Sequence, residues 1–162
     1  MHLTLIPTFA ALMYVWWTQD ALPPVVASHF DAQGRPDGFT DRADYITMMM
    51  FLMAAFPLGA ALLGTLLRSL PERAINIPRR DYWLAPDRRR DSLNYLSGWL
   101  QSLSLLGLAL LAFVHYLLLD ANRGGQTHLE LTPLLMGTGV FLAGLTIWLL
   151  ALHRRFSRPT PN

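Results

Sequence analysis

Cysteine and lysine are both absent from this 162-residue chain. Without cysteine there is no disulfide, no zinc–thiolate site and no thiol catalysis, and the redox compartment stays open. Without lysine, all 13 basic residues are arginine. Charge is scarce as well, at 15% of residues, where globular chains carry about 25%. Asp, Glu and Arg are missing from the middle of every long apolar run. Ion and proton pathways usually place one there, so an ion transporter is disfavoured, but a carrier of apolar substrates is not. There is no nucleophile–base pair, no carboxylate dyad within the apolar runs, and no Walker or zincin motif. No catalytic residue is assigned, and the chemistry leans away from an enzyme. Internal repeats, low-complexity tracts and heptad runs are also absent.

What is present is hydrophobic: 52% of residues. A bilayer-crossing helix needs roughly 20 mostly apolar residues, and four windows approach that, at about 3–19, 45–67, 93–119 and 131–152. The expectation is an all-α membrane protein, a single integral domain over 1–162. It would be a four-transmembrane-helix bundle with an ordered extracytoplasmic loop between helices 1 and 2. The first window has no basic residue before it and no small-residue cleavage pattern after it, so it is taken as a retained span rather than a signal peptide. Trp16 and Trp17 would mark its interface.

Charge sets the expected orientation. Arg68, Arg73, Arg79, Arg80, Arg88, Arg89 and Arg90 lie in one loop, and Arg154, Arg155 and Arg158 in the tail. The other two loops share Arg35, Arg42 and Arg123. Positive loops stay in the cytoplasm, which places both termini there. The basic pI then belongs to the inner face, where arginine meets anionic lipid, and no nucleic-acid role is expected.

Residues 29–42, His-Phe-Asp-Ala-Gln-Gly-Arg-Pro-Asp-Gly-Phe-Thr-Asp-Arg, form a polar cassette between the first two windows. Val25–Phe30 has strand-like composition, and Gly34 can take a positive φ. Pro36-Asp37-Gly38 suits a type I turn, so a short hairpin or compact loop is expected. Phe30 and Phe39 would anchor it. Two readings of its polar groups stand open. Asp31 and Asp37 satisfy turn amides while His29 packs on the loop, or His29, Asp31 and Asp37 converge on a cation.

The stretch Leu22-Pro-Pro-Val-Val-Ala-Ser-His-Phe-Asp-Ala-Gln-Gly-Arg-Pro-Asp-Gly-Phe resembles the signature of small bacterial membrane proteins known as a domain of unknown function, DUF1648, found at the N-terminus of SdpI-type immunity proteins. Leu22, Pro23, His29, Phe30, Gly34, Pro36, Asp37 and Gly38 match the pattern, and Arg42 stands where the family usually has lysine. Asn76-Ile-Pro…Asp81-Tyr-Trp-Leu-Ala-Pro-Asp-Arg-Arg resembles a segment of the four-span members. The resemblance implies a bacterial cytoplasmic-membrane protein with an immunity- or signalling-like role. It implies an outer ligand or partner surface of His29, Phe30, Gly34, Pro36, Asp37, Gly38 and Arg42. An inner one would use Asn76, Pro78, Asp81, Tyr82, Trp83, Arg88 and Arg89. The larger immunity proteins carry further spans.

The remaining polar features admit structural and functional readings. Tyr82-Trp83-Leu84, bracketed by arginines, suits either a membrane-hugging linker or a partner site, with anionic lipid beneath. Asp87 is placed as an N-cap of the third span. Within that span Asn94, Ser97, Gln101, Ser104 and His115 fall in an arc of roughly 80° at about 100° per residue. This polar seam is interhelical glue or the lining of a cavity open near His115. His29, His115, His128 and Asp120 share a side, but no tight His-x-x-x-His spacing supports a metal, and no metal or cofactor is assigned. Ala55-x-x-x-Gly59, Ala60-x-x-x-Gly64 and Gly139-x-x-x-Ala143 allow close helix approach, and Pro57 a kink. Met48–Met50 and Met53 suit soft packing. The function that fits best is a non-catalytic binding or regulatory membrane protein with a protein or peptide partner. The alternatives are an accessory subunit or a carrier of a lipid-like molecule.

Overall fold

The computed structural model describes residues 4–123 and 127–158. Helix α1 (Leu5–Thr18) leads through a 3-10 turn into strands β1 (Val25–Phe30) and β2 (Pro36–Asp41). Helix α2 (Arg42–Leu66) follows, then a loop containing the single turn α3 (Arg80–Trp83), and finally the long helices α4 (Arg89–Arg123) and α5 (Leu131–Ser157). The chain is mostly helical. The expected all-α class is corrected by the two-stranded antiparallel sheet, where β-branched Val25 and Val26 open a strand and Gly34 allows the return.

Three helices, α2, α4 and α5, are long and apolar enough to cross a membrane. Helix α1 has 14 residues, about 21 Å at 1.5 Å per residue. Its foot is bonded to the middle of α4, Thr4 to Gln101, and its head lies against Thr18's partner His115. It therefore runs beside the stretch of α4 between Gln101 and His115 and does not reach the Arg89 end.

The core sits where α1, α2 and α4 meet. Val15, Tyr45, Met49, Met53, Leu108 and Leu119 are buried there, with Val26 of β1 closing the end. Of the methionine run, Met49 is buried and Met48 exposed, as a helix with one inward face dictates. Helices α2 and α4 run antiparallel, so Gly64 meets Ser97, Phe56 meets Gly107 and Tyr45 meets His115. Gly107 leaves room for the Phe56 ring, since a Cβ there would lie 2.7 Å from it. Gly64 performs as its motif predicts, but Gly59 and Gly139 face open space, with nothing within 4 Å of an added Cβ. The close approach of α5 to α4 uses Gly137 under Phe113 instead. Pro57 is buried inside α2, and the helix continues past it.

Large apolar side chains cover the outside: Ile6, Phe9 and Trp17 on α1, Phe51 and Leu58 on α2, Leu135, Val140 and Ile147 on α5. Helices apolar on both inner and outer faces suit a lipid bilayer.

Candidate functional site

The hairpin sits at one end of the bundle, where α2 begins and α4 ends. Its turn lies at Asp31–Arg35, not at Pro36-Asp37-Gly38, which is strand. Asp31 makes this turn. Its backbone N–H donates to Arg35 O at 2.8 Å, and its carboxylate accepts from the N–H groups of Gln33 (2.8 Å) and Arg35 (2.9 Å) and from the Arg35 guanidinium (3.1 Å). The Arg35 amide above all, with the Gln33 amide and the guanidinium, holds the Asp31 carboxyl below its ordinary range. Asp31 is thus spent on the turn. A His29–Asp31–Asp37 cation site does not form, and among the described residues no group of three His, Asp or Glu is arranged for a metal.

His29 and Asp37 do come together. The ladder slips twice, between Ala27 and His29 and between His29 and Phe30, so Ser28 and Asp37 have no direct partner. Such bulges re-aim side chains. Asp37 is swung onto His29 and its carboxylate meets the imidazole Nδ1. The pair is exposed, 75% for the His29 side chain and 47% for Asp37. Gly38 faces His29 across the strands, and a Cβ there would lie 2.8 Å from that of His29. Pro36 pairs with Phe30 at the far end of the ladder. Phe30 is half-buried against the core, whereas Phe39 is 62% exposed and anchors nothing.

Three contacts fix the hairpin and its base to the rest of the chain. The Asn122 side chain on α4 accepts from Ala27 N–H (2.9 Å) and donates to Ala27 O (3.0 Å). Gly34 has φ +79° and its carbonyl accepts from Leu129 N–H at 2.9 Å. Arg42, at the base, donates to Leu22 O at 3.1 Å and lies 4.0 Å from Asp20. Arg42 therefore ties the end of β2 to the segment that leads into β1, away from the His29–Asp37 pair.

The polar seam of α4 is directed into the helix contacts. Asn94 accepts from Arg68, Ser97 donates to Gly64 O, Gln101 accepts from Thr4 and Ser104 donates to Gln101 O. His115 is fully enclosed, with Nε2 2.9 Å from Thr18 Oγ1 and Nδ1 2.8 Å from Tyr45 OH. Thr18 gives its only hydroxyl hydrogen to Tyr14 O at 2.7 Å. Nε2 therefore carries the proton toward Thr18, and Tyr45 donates to Nδ1. Tyr14 packs edge-on to the ring and Tyr45 stacks on it. His115 is thus enclosed between helices, whereas Asn94 and Ser104 of the same seam also border open cavities.

At the opposite end, the 67–88 loop folds over the end of α5. The Trp83 indole N–H donates to Phe156 O at 2.7 Å and the Arg79 Nε–H to Ser157 O at 2.9 Å. Both acceptors are last-turn carbonyls that a helix leaves unpaired. Among the described residues Arg79 is the non-glycine residue with positive φ (50°), and its carbonyl takes the N–H groups of Tyr82 and Trp83. Arg155 stacks over Trp83 at 4.3 Å and Arg88 over Tyr82 at 4.3 Å. Trp83 and Leu84 are buried with Ile75, Leu93 and Phe156. Asp87 precedes the first turn of α4 by two residues and pairs with Arg88 at 3.2 Å, so it is not the N-cap. Asn76, Asp81 and Arg80 line a cavity of about 330 Å³, with Pro78 beside it half-buried.

Residues 6–55 match the family model described as Domain of unknown function (DUF1648). This likeness to DUF1648 covers residues 6–55 of the 162. Its matched segment takes in α1, the whole hairpin and the first half of α2. No curated protein matches the chain, and no solved structure does.

Within the matched segment the residues singled out in the sequence divide by task. Gly34, Gly38, Pro36 and Arg42 shape and tie the hairpin, Phe30 seats it, and His29 with Asp37 projects from it. Sequence reasoning missed Asn122, Tyr45 and Thr18. A lone asparagine near the end of an apolar run was the available signal for the first. The other two lie on α2 and α1, whose pairing with His115 has no local trace in the chain.

Proposed function

We propose that this is a non-catalytic recognition or regulatory protein of the bacterial cytoplasmic membrane, with the hairpin as its outward recognition surface. The observation that carries the reading is the exposed His29–Asp37 pair on a hairpin that Asn122 and Leu129 fasten to the bundle. A polar pair on a stiffly held strand offers recognition at low ordering cost. The proposal includes four spans, with α1 crossing, and both termini cytoplasmic. It also includes an immunity- or signalling-like role by resemblance to SdpI-type proteins, and a protein or peptide partner. At the inner face Asn76 and Asp81 are exposed, Arg88 and Arg89 are half-buried, and Trp83 is buried against Phe156. A signal crossing the bundle would need two helix arrangements that differ in affinity for the partner.

The test is complementation of a deletion strain. Wild type should restore its phenotype, while His29→Ala or Asp37→Ala should not, although both variants accumulate in the membrane. Full rescue by both variants would make the pair structural and end this reading.

A second reading, an accessory subunit or a carrier of an apolar molecule, is favoured by two open apolar grooves. One, of about 370 Å³, lies between α2 and α4 at Leu52, Phe56 and Leu103. The other, of about 310 Å³, lies between α4 and α5 at Phe113 and Phe141. Purification in mild detergent separates these readings by what travels with the chain, a stoichiometric protein or a bound small molecule.

A further inference from the structure

The arginines of the 67–90 region are not equivalent. Arg80 is paired with Asp81 at 3.3 Å and Arg88 with Asp87 at 3.2 Å. Arg68, Arg89 and Arg90 line one cavity of about 300 Å³ with Pro86, Leu93 and Asn94. No carboxylate lines it, and among the described residues none of the three arginines forms an ion pair. Two of them are nevertheless positioned. Arg68 donates to Asn94 Oδ1 at 3.1 Å and Arg89 to Leu70 O at 3.0 Å. Both acceptors are neutral, so each guanidinium is aimed without being discharged. Each carries five N–H donors, and one bond leaves most of them free. The Asn94 amide, held by its oxygen, keeps its NH₂ as a further donor.

Three like charges around one opening repel one another when it is empty. An oxyanion with several acceptor oxygens relieves that repulsion and matches the guanidinium fork in bidentate geometry. The volume is at the lower end of the roughly 300–1,000 Å³ typical of small-molecule sites. We propose that Arg68, Arg89, Arg90 and Asn94 form a binding site for a phosphate group at the arginine end of the α2–α4 seam. The apolar groove at Leu63 and Leu100 is on the same two helices. It lies about 9 Å further along, at about 1.5 Å per residue from Asn94 to Leu100 on α4. The phosphate of a lipid headgroup and free phosphate share the required chemistry, and this neighbourhood offers acyl chains a place that a free ion would not need. The proposal depends on the membrane setting but not on the hairpin's recognition role, and either can fail alone.

The full chain in neutral detergent micelles, titrated with dioctanoyl phosphatidic acid, tests it. Saturable binding is expected, weakened by added salt and at least tenfold weaker in Arg68→Gln/Arg90→Gln, while Arg154→Gln is unchanged. Displacement by inorganic phosphate identifies a site for the free ion as well; retention identifies the headgroup in its lipid. Dioctanoyl phosphatidylcholine binding equally well, or the double variant binding as wild type, overturns the site. Should the double variant not remain monodisperse, Asn94→Asp carries the test. A carboxylate placed among the arginines should cost at least tenfold, and unchanged affinity would refute the proposal.

Discussion

Gly34 is required twice over. Its φ of +79° is one that L side chains rarely adopt, and any Cβ would run into the Leu129 carbonyl that Gly34 faces. Relief would need the hairpin tip to lift from the 127–130 segment, which costs the Leu129–Gly34 hydrogen bond. Gly34→Ala should therefore destabilise by about 2–4 kcal/mol, adding backbone strain to overpacking. Thermal melts of the purified protein in detergent measure this, and a loss under 0.5 kcal/mol would show that the tip is not docked. Asp31, beside it, works through charge. Amide donors lower its pKa in the folded hairpin, so the ionised form supports the turn. That support is complete above the unfolded carboxyl value, near 3.8. It fades as pH falls below that value and through the lowered folded one. Amide exchange at Gln33 and Arg35 should accelerate in that acid window, and Asp31→Asn should flatten the response. A wild-type profile that stays flat as Asp31 titrates would remove Asp31 from the turn.

The elements hold one another through their unfinished ends. Helix α5 buries little besides Phe156, and its last carbonyls are finished by a loop nearly eighty residues earlier in the chain. The Trp83 indole is the central piece, since its N–H is bonded to Phe156 O while its ring packs against Phe156 and Arg155. Trp83→Phe keeps most of the apolar volume and deletes the donor. A buried carbonyl left without its partner costs about 1–3 kcal/mol. The loss should localise, with faster proteolysis after Arg154 or Arg155 while the α1–α2–α4 core stays protected. Uniform destabilisation of the whole chain would mean that the cap and the core are one unit. At the other end Asn122 does a similar service for β1. Both its amide atoms engage Ala27, which occupies the outer edge of that strand and blocks another strand from pairing there.

Across the whole molecule, what the sequence made legible followed from period and composition. Long apolar runs marked α2, α4 and α5, and the polar seam of α4 was visible because five residues recur at helical spacing. The cassette announced a reversal through Gly34, but its site was misplaced. Pro36-Asp37-Gly38 has turn composition, while the actual turn is closed by Asp31 bonding forward to amides, a choice made between neighbouring candidates of similar local preference. Partners distant in the chain, such as Thr18, Tyr45 and His115, leave no local signal at all. The same mixture governs topology. Hairpin and arginine loop occupy opposite ends of α2 and α4, and the orientation we propose, which the ten-to-three division of arginine favours, has the arginine end in the cytoplasm. Then α5 returns the C-terminus there too, and a reporter after Asn162 should act in the cytoplasm while one inserted between Ala32 and Gln33 acts outside. The N-terminus is the harder case, because α1 starts level with Gln101 rather than with Arg89. That is 12 residues of α4, or about 18 Å, short of the arginine end. A helix of 14 residues can still cross where the bilayer thins around it, at a cost of fractions of a kcal/mol per Å. Its apolar outer face at Ile6, Phe9 and Trp17 favours lipid along its whole length. A membrane-impermeant label at an N-terminal cysteine, in this otherwise cysteine-free chain, should thus react only after the cytoplasmic side is opened. Labelling of intact cells would turn α1 into a helix that enters and leaves on the outer side, and would reduce the bundle to three spans.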